Sequence, residues 1–135
     1  MKRKLLLSLL GILIGLPILA RDFEYTYEGQ TVVYTVLDEE AKTCATKEGS
    51  RYGSGPGNNI SGKLVLPSNP VNGDVEYTLS SIGYSAFRGC SGLTEVTIPN
   101  SVTSIGEMTF ARCSVLTEMT IPNSVTSIGY EAFAA

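Results

Sequence analysis

Residues 93–112, LTEVTIPNSVTSIGEMTFAR, return at 116–135 as LTEMTIPNSVTSIGYEAFAA, an offset of 23 residues with 15 of 20 positions identical. A unit this short cannot bury its own apolar side chains. At a fixed period in the twenties it does so by stacking on its neighbours, as one coil of a solenoid. This repeat constrains the fold more than any other feature of the chain. It also moves the question of function from a catalytic cleft to an exposed surface.

The period reaches upstream. Residues 80–87 align with 103–110 and 126–133, so Ile82, Ile105 and Ile128 recur in step, as do Gly83, Gly106 and Gly129, and Phe87, Phe110 and Phe133. Further back, Leu64-Val65-Leu66-Pro67 matches Val96-Thr97-Ile98-Pro99 at a distance of 32, one period plus nine. The extra residues fall around 69–77 and include Asn72-Gly73, a strong hairpin turn signal. The first coil is therefore expected to carry a looped insertion.

Within one coil, Leu93, Val96 and Ile98 keep the L-x-x-L-x-L spacing of a leucine-rich repeat strand. Pro99 ends that strand, because it has no N–H for the ladder. Val102 and Ile105 make a second short apolar stretch, Gly106 allows a sharp bend, and residues 107–112 leave room for about one helical turn with Phe110 inward. The expected fold is a repeat solenoid, mainly β with short helical turns. About three coils of a 23-residue leucine-rich repeat occupy residues 64–135, the last incomplete.

Residues 21–63 do not repeat. Phe23, Tyr25 and Tyr27 alternate with polar residues, the pattern of a half-buried strand. Gly29-Gln30 reads as a turn, residues 31–37 as a β-branched strand, residues 43–46 as a third strand, and the Gly-, Ser- and Asn-rich stretch 49–62 as a mobile loop. This is a small N-terminal β cap, placed where a solenoid needs its first coil covered.

Residues 1–20 have a basic start (Lys2, Arg3, Lys4), an apolar run over 5–19 and a small residue, Ala20, at the end. That is the layout of a secretory signal peptide, and the run is short against the roughly 20 residues of a spanning helix. The expectation is a secreted or cell-surface protein with no membrane span once the signal is removed. Without those residues, 7 basic side chains face 13 acidic ones, a net charge of −6. Such a balance is poorly suited to nucleic acid, where Lys and Arg supply most of the affinity. At the other end the chain stops three residues short of a full coil, leaving the strand at 116–121 as an open edge. Either the natural protein is longer, or another chain covers the end, self-association of this coil being one form.

Candidate chemistry is sparse. There are no histidines, which removes Ser-His-Asp and Cys-His catalysis and the commonest metal ligand. Cys44 has no base to activate it, so neither an enzyme nor a cofactor is expected. Cys90 and Cys113 are one period apart and point the same way into the core, so they, with Cys44, read as buried free thiols. Residues 57–63 carry G-x-x-x-x-G-K but lack the Ser or Thr that holds magnesium and lead into a strand, so they read as a loop. The surface is more informative. Glu95 and Glu118 should stack in adjacent coils, as should Thr97 and Thr120, making a ladder able to bind a partner strand of another protein, a cation or a sugar. A β-branched, charged face that keeps the sheet soluble accounts for the same residues. Tyr84 and Tyr130 are candidate interface anchors.

The motif LTEVTIPNSVTSIGEMTFARC, with Ala86-Phe87 and Cys90 in the preceding coil, resembles the BspA-like leucine-rich repeat proteins of bacterial cell surfaces. The resemblance covers residues 64–135, and the aromatic opening at 21–37 is similar to the β cap that often precedes such repeats. It implies a curved leucine-rich repeat solenoid without catalysis. It also implies adhesion to host matrix proteins such as fibronectin or fibrinogen, or to other bacteria.

Overall fold

The computed structural model describes residues 21–135, so the segment expected to be a signal peptide, 1–20, lies outside the described residues. Eleven strands follow one another: β1 (Asp22–Tyr27), β2 (Gln30–Asp38), β3 (Thr43–Thr46), β4 (Ser61–Val65), β5 (Val71–Asn72), β6 (Val75–Glu76), β7 (Thr78–Ile82), β8 (Gly92–Thr97), β9 (Ser104–Ile105), β10 (Glu118–Thr120) and β11 (Ser127–Ile128). They form a six-stranded sheet in the order β1-β2-β3-β7-β9-β11, a three-stranded sheet in the order β10-β8-β4, and the hairpin β5-β6.

The opening alternation produces the expected hairpin. β1 pairs antiparallel with β2, Phe23 opposite Tyr34, and the inward set Phe23, Val32, Tyr34 and Val36 is buried. The turn falls at Glu28-Gly29, one residue earlier than expected. Both residues have positive φ (48° and 84°), as a two-residue turn matched to strand twist requires. β2 returns antiparallel to β3, and β3 then pairs parallel with β7. The cap is thus hydrogen-bonded into the same sheet as the coils.

The coils repeat in register. Ser81, Ser104 and Ser127 are consecutive partners, as are Ile82, Ile105 and Ile128, while Leu64 sits beside Val96 and Met119 beside Val96 on its other side. Between the two sheets Leu64, Leu79, Ile82, Leu93, Val96 and Ile105 are buried. The nine-residue insertion is the hairpin β5-β6, whose turn places Gly73 at φ 63°. It delivers Tyr77 into the cap, where the ring lies 5.4 Å from Phe23, itself 5.4 Å from Tyr34.

The short helical turn expected at 107–112 is absent, and the reason is competition for N–H groups. Met108, Phe110 and Arg112 donate across to Tyr130, Ala132 and Ala134 of the next coil. Ala111 and Cys113 close turns within their own coil onto Met108 and Phe110. An α-helix over 107–112 would send the Ala111 and Arg112 N–H groups to the carbonyls of Glu107 and Met108, but both are committed elsewhere. Positive φ at Met108 and Arg112, repeated at Ser85, Gly89 and Glu131, also excludes helix, which needs φ near −63°. The result is a ladder of turns that stacks Phe87, Phe110 and Phe133, with centroids 5.4 and 5.8 Å apart and planes within 4°.

Residues 49–60 are irregular but tied down and 61–62 already belong to β4, unlike the mobile loop over 49–62 that the composition suggests. Gly49, Gly55 and Gly57 donate to the carbonyls of Tyr84, Arg88 and Ala86, which makes this stretch the outer turn of a first coil. The glycines follow from closeness. A Cβ on Gly57 would lie 2.3 Å from the Phe87 ring. In the G-x-x-x-x-G-K pattern Gly57 therefore serves packing, while Gly62 has open space and a φ of 76°. Gly106, expected to permit a bend, has the same explanation as Gly57, since its Cβ would lie 2.8 Å from the Tyr84 nitrogen.

Candidate functional site

Two solvent-facing surfaces collect side chains in register. On the three-stranded sheet, Glu118 stands beside Glu95 and Thr120 beside Thr97, the ladder the period predicts. The row begins one strand earlier than the repeat motif showed. Lys63 stands beside Glu95 and pairs with it at 3.0 Å. The Glu95 carboxylate, by hydrogen bond and by charge, raises the Lys63 pKa. Glu118 is exposed and makes no ion pair among the described residues.

Tyr84 and Tyr130 belong elsewhere, after β7 and β11 of the six-stranded sheet, and are not one patch with the Glu/Thr ladder. Tyr130 lies outside the lining, one coil beyond, while Tyr84 lines a groove that sequence reasoning missed. Its floor is a single cross-strand row, Asp22, Thr35, Ala45, Ser81 and Ser104, each the lateral partner of the one before. Every side chain from Thr35 onward is small, so the floor is low. The cavity above it is about 670 Å³, with Leu37 on one rim and Lys47, Glu48, Tyr84 and Glu107 also lining it. At one end Asp22 accepts a hydrogen bond from the Thr35 hydroxyl at 2.7 Å and pairs with the Lys47 ammonium. The rim has its own order. Glu48 lies against Gly83, so it precedes Tyr84, and Glu107 and Tyr130 are the positions equivalent to Tyr84 in the next two coils. Carboxylate and phenol alternate along it. Glu48 and Glu107 are exposed and form no ion pair among the described residues.

The thiols are structural. Cys90 donates to the carbonyls of Ile60 at 2.9 Å and Gly57 at 3.2 Å, pinning the first coil, and Cys113 donates to Phe87 at 3.2 Å. All three cysteines are free; Cys44 and Cys90 are buried and Cys113 is partly so. Burial pushes the Cys44 thiol up to about 12 and the Cys90 thiol up to about 11, from 9.0. A raised folded-state pKa stabilises the fold below the unfolded value and is lost as pH rises through the folded one. The urea midpoint is therefore expected to be flat from pH 7 to 8.5 and to fall between pH 9 and 12. Replacing Cys44 and Cys90 with alanine should shrink that fall; an unchanged profile would show that the thiols do not drive it.

Among the described residues no three His, Cys, Asp or Glu side chains come together as a metal site requires, and no helix is long and apolar enough to cross a membrane. At the last coil Ile121, Ile128 and Phe133 are 39, 50 and 43 % exposed, whereas their equivalents Ile98, Ile105 and Phe110 are 2 % exposed beneath the following coil.

Parallel coils with a 23-residue period, an L-x-x-L-x-L strand and stacked phenylalanines define a leucine-rich repeat solenoid. Residues 70–135 match six copies of the BspA type leucine rich repeat region. This repeat portion belongs to that family, a non-catalytic scaffold of protein-interaction repeats. A leucine-rich repeat protein from Bacteroides capillosus is 26 % identical, with a TM-score of 0.61 over 77 % of this chain and 70 % of its own. One from T. pallidum is 25 % identical, with a TM-score of 0.58 over 76 % and 42 %. A third, from Bacteroides ovatus, is 27 % identical, with a TM-score of 0.57 over 82 % and 33 %. The chain therefore spans less than half the length of the last two. No curated protein matches the sequence.

Proposed function

We propose that this chain is a non-catalytic binding module, displayed on or released from a bacterial cell, that adheres to host extracellular-matrix proteins or to other cells. The observation that carries this reading is the groove across the six-stranded sheet, a lane with a floor of small side chains bordered by tyrosine and unpaired carboxylates. Tyrosine is enriched at protein interfaces because one side chain offers both apolar area and a hydrogen bond. The Glu95, Thr97, Glu118 and Thr120 ladder is a second surface that a partner would meet. The BspA-type repeat, the leucine-rich repeat relatives in bacteria and the signal-like residues 1–20 support a location outside the cell.

The test is a solid-phase assay of the purified chain on immobilised fibronectin, fibrinogen and serum albumin. Saturable binding to a matrix protein and none to albumin is the expected result. Equal, non-saturating retention on all three surfaces, from a chain folded by circular dichroism, would make it a spacer array with no ligand of its own.

A further inference from the structure

We propose that the groove on the six-stranded sheet takes an extended, lysine- or arginine-bearing segment of a protein partner, with Glu48 and Glu107 receiving its cationic side chains and Tyr84 lying between them. The inference rests on the binding-module reading and names the site and the chemistry of the partner.

Size limits the occupant first. From Asp22 to Ser104 the floor crosses five strands, four inter-strand steps or roughly 19 Å, which is the reach of about six residues of extended chain. The floor side chains Thr35, Ala45, Ser81 and Ser104 are too small to fill the lane themselves. Their depth below Leu37 on one rim and Tyr84 on the other leaves the 670 Å³. A folded partner's convex face or a helix about 10 Å across would rest on the rims; a single extended strand can lie on the floor. Ser81 and Ser104 add hydroxyls to the lining.

Charge decides the sign. Of the four charged side chains lining the groove, Asp22 and Lys47 neutralise one another. Glu48 and Glu107 remain, separated along the rim by Tyr84. A carboxylate on either side of a phenol ring suits a cation, which gains from both the charges and the ring face. A like-charged segment would be repelled. The repeat extends the same lane beyond the cavity, because Ser127 follows Ser104 on the floor and Tyr130 follows Glu107 on the rim. A longer basic segment would therefore meet the same chemistry in the next coil.

The experiment uses the purified full chain and a fluorescein-labelled hexapeptide, Lys-Thr-Lys-Thr-Lys-Thr, read by fluorescence polarisation, with Glu-Thr-Glu-Thr-Glu-Thr as the reversed-charge probe. The lysine peptide is expected to bind and the glutamate peptide not. Raising salt from 50 to 300 mM should weaken binding several-fold. Glu48→Gln with Glu107→Gln should weaken it about tenfold, and Ser104→Phe should block the floor. Glu76→Gln, on the hairpin away from the groove, should change nothing. Thermal unfolding of each variant monitors the fold, and the two exposed glutamine substitutions keep the test open even where the phenylalanine variant fails to fold. The same variants are carried through the matrix-protein assay. Full matrix binding by the folded Glu48→Gln/Glu107→Gln chain would overturn the groove proposal and leave the adhesive reading standing. So would equal affinity of the two peptides, or no peptide binding at millimolar concentration from a chain that still binds matrix protein. Loss of all matrix binding by the unmodified chain would remove the reading beneath it.

Discussion

Phe110→Ala is expected to lower the free energy of unfolding by about 3–5 kcal/mol, the cost of emptying a buried phenylalanine site. Against a total of about 5–15 kcal/mol for a domain of this size, the variant would be barely folded. Phe110 carries this weight because it is the middle ring of the ladder, 5.4 Å from Phe87 and 5.8 Å from Phe133, and only 2 % exposed. Its removal leaves a void that the hydrogen-bonded turns on either side cannot close. Phe133 occupies the equivalent place with 43 % exposure, so Phe133→Ala should cost well under half as much. Urea denaturation of both variants measures the contrast. Equal losses would mean that the ladder is not the source of the stability.

Gly55→Ala is expected to cost as much as about 3 kcal/mol, the upper range for forcing atoms into filled space. A Cβ there would stand 2.1 Å from the Ser85 carbonyl oxygen and 2.4 Å from that of Ala86. These are backbone atoms with no rotamer to escape into, and the Gly55 N–H is committed to Arg88 at 2.8 Å. Two residues away, a Cβ on Gly53 would meet nothing nearer than 3.8 Å, so Gly53→Ala should change stability by no more than about 0.5 kcal/mol. Thermal melts of the pair distinguish an ordered outer turn from a loose loop. If both substitutions are silent, the segment 49–57 is not packed as described.

What the sequence made legible was whatever the period repeats. Glu95 beside Glu118, Thr97 beside Thr120, the strand at Leu64 beside Val96 and the hairpin after Asn72 all follow from counting 23 residues and finding nine left over. The cap strands were legible for a different reason: period-2 burial of Phe23, Tyr34 and Val36 is a local signal. The groove was hidden because its floor draws on Thr35, Ala45 and Ser81, three residues from segments with no common repeat. The pairing of β3 with β7, with its slip between Cys44 and Ala45, is set by tertiary packing and leaves no trace in local pattern. The stretch 49–62 was misjudged on the same ground. Its glycines look like flexibility until Ser85, Ala86 and Phe87, some thirty residues on, are seen to lie against them. The absent helix at 107–112 was hidden on the same ground. Donors at alternate positions, Met108, Phe110 and Arg112, serve the neighbouring coil, and every second residue is the spacing of a sheet, not of a helix.

One side chain in the cap gives the stack a direction. The Gln30 amide donates to the carbonyls of Ser61 at 2.7 Å and Lys63 at 3.2 Å, two acceptors on the outer edge of β4, the strand that opens the three-stranded sheet. A fourth backbone strand laid there would have to displace it. Coils can therefore be counted from β4 as from a zero mark, and a gain or loss of repeats in evolution would leave that origin fixed while changing only the reach of the surface beyond it.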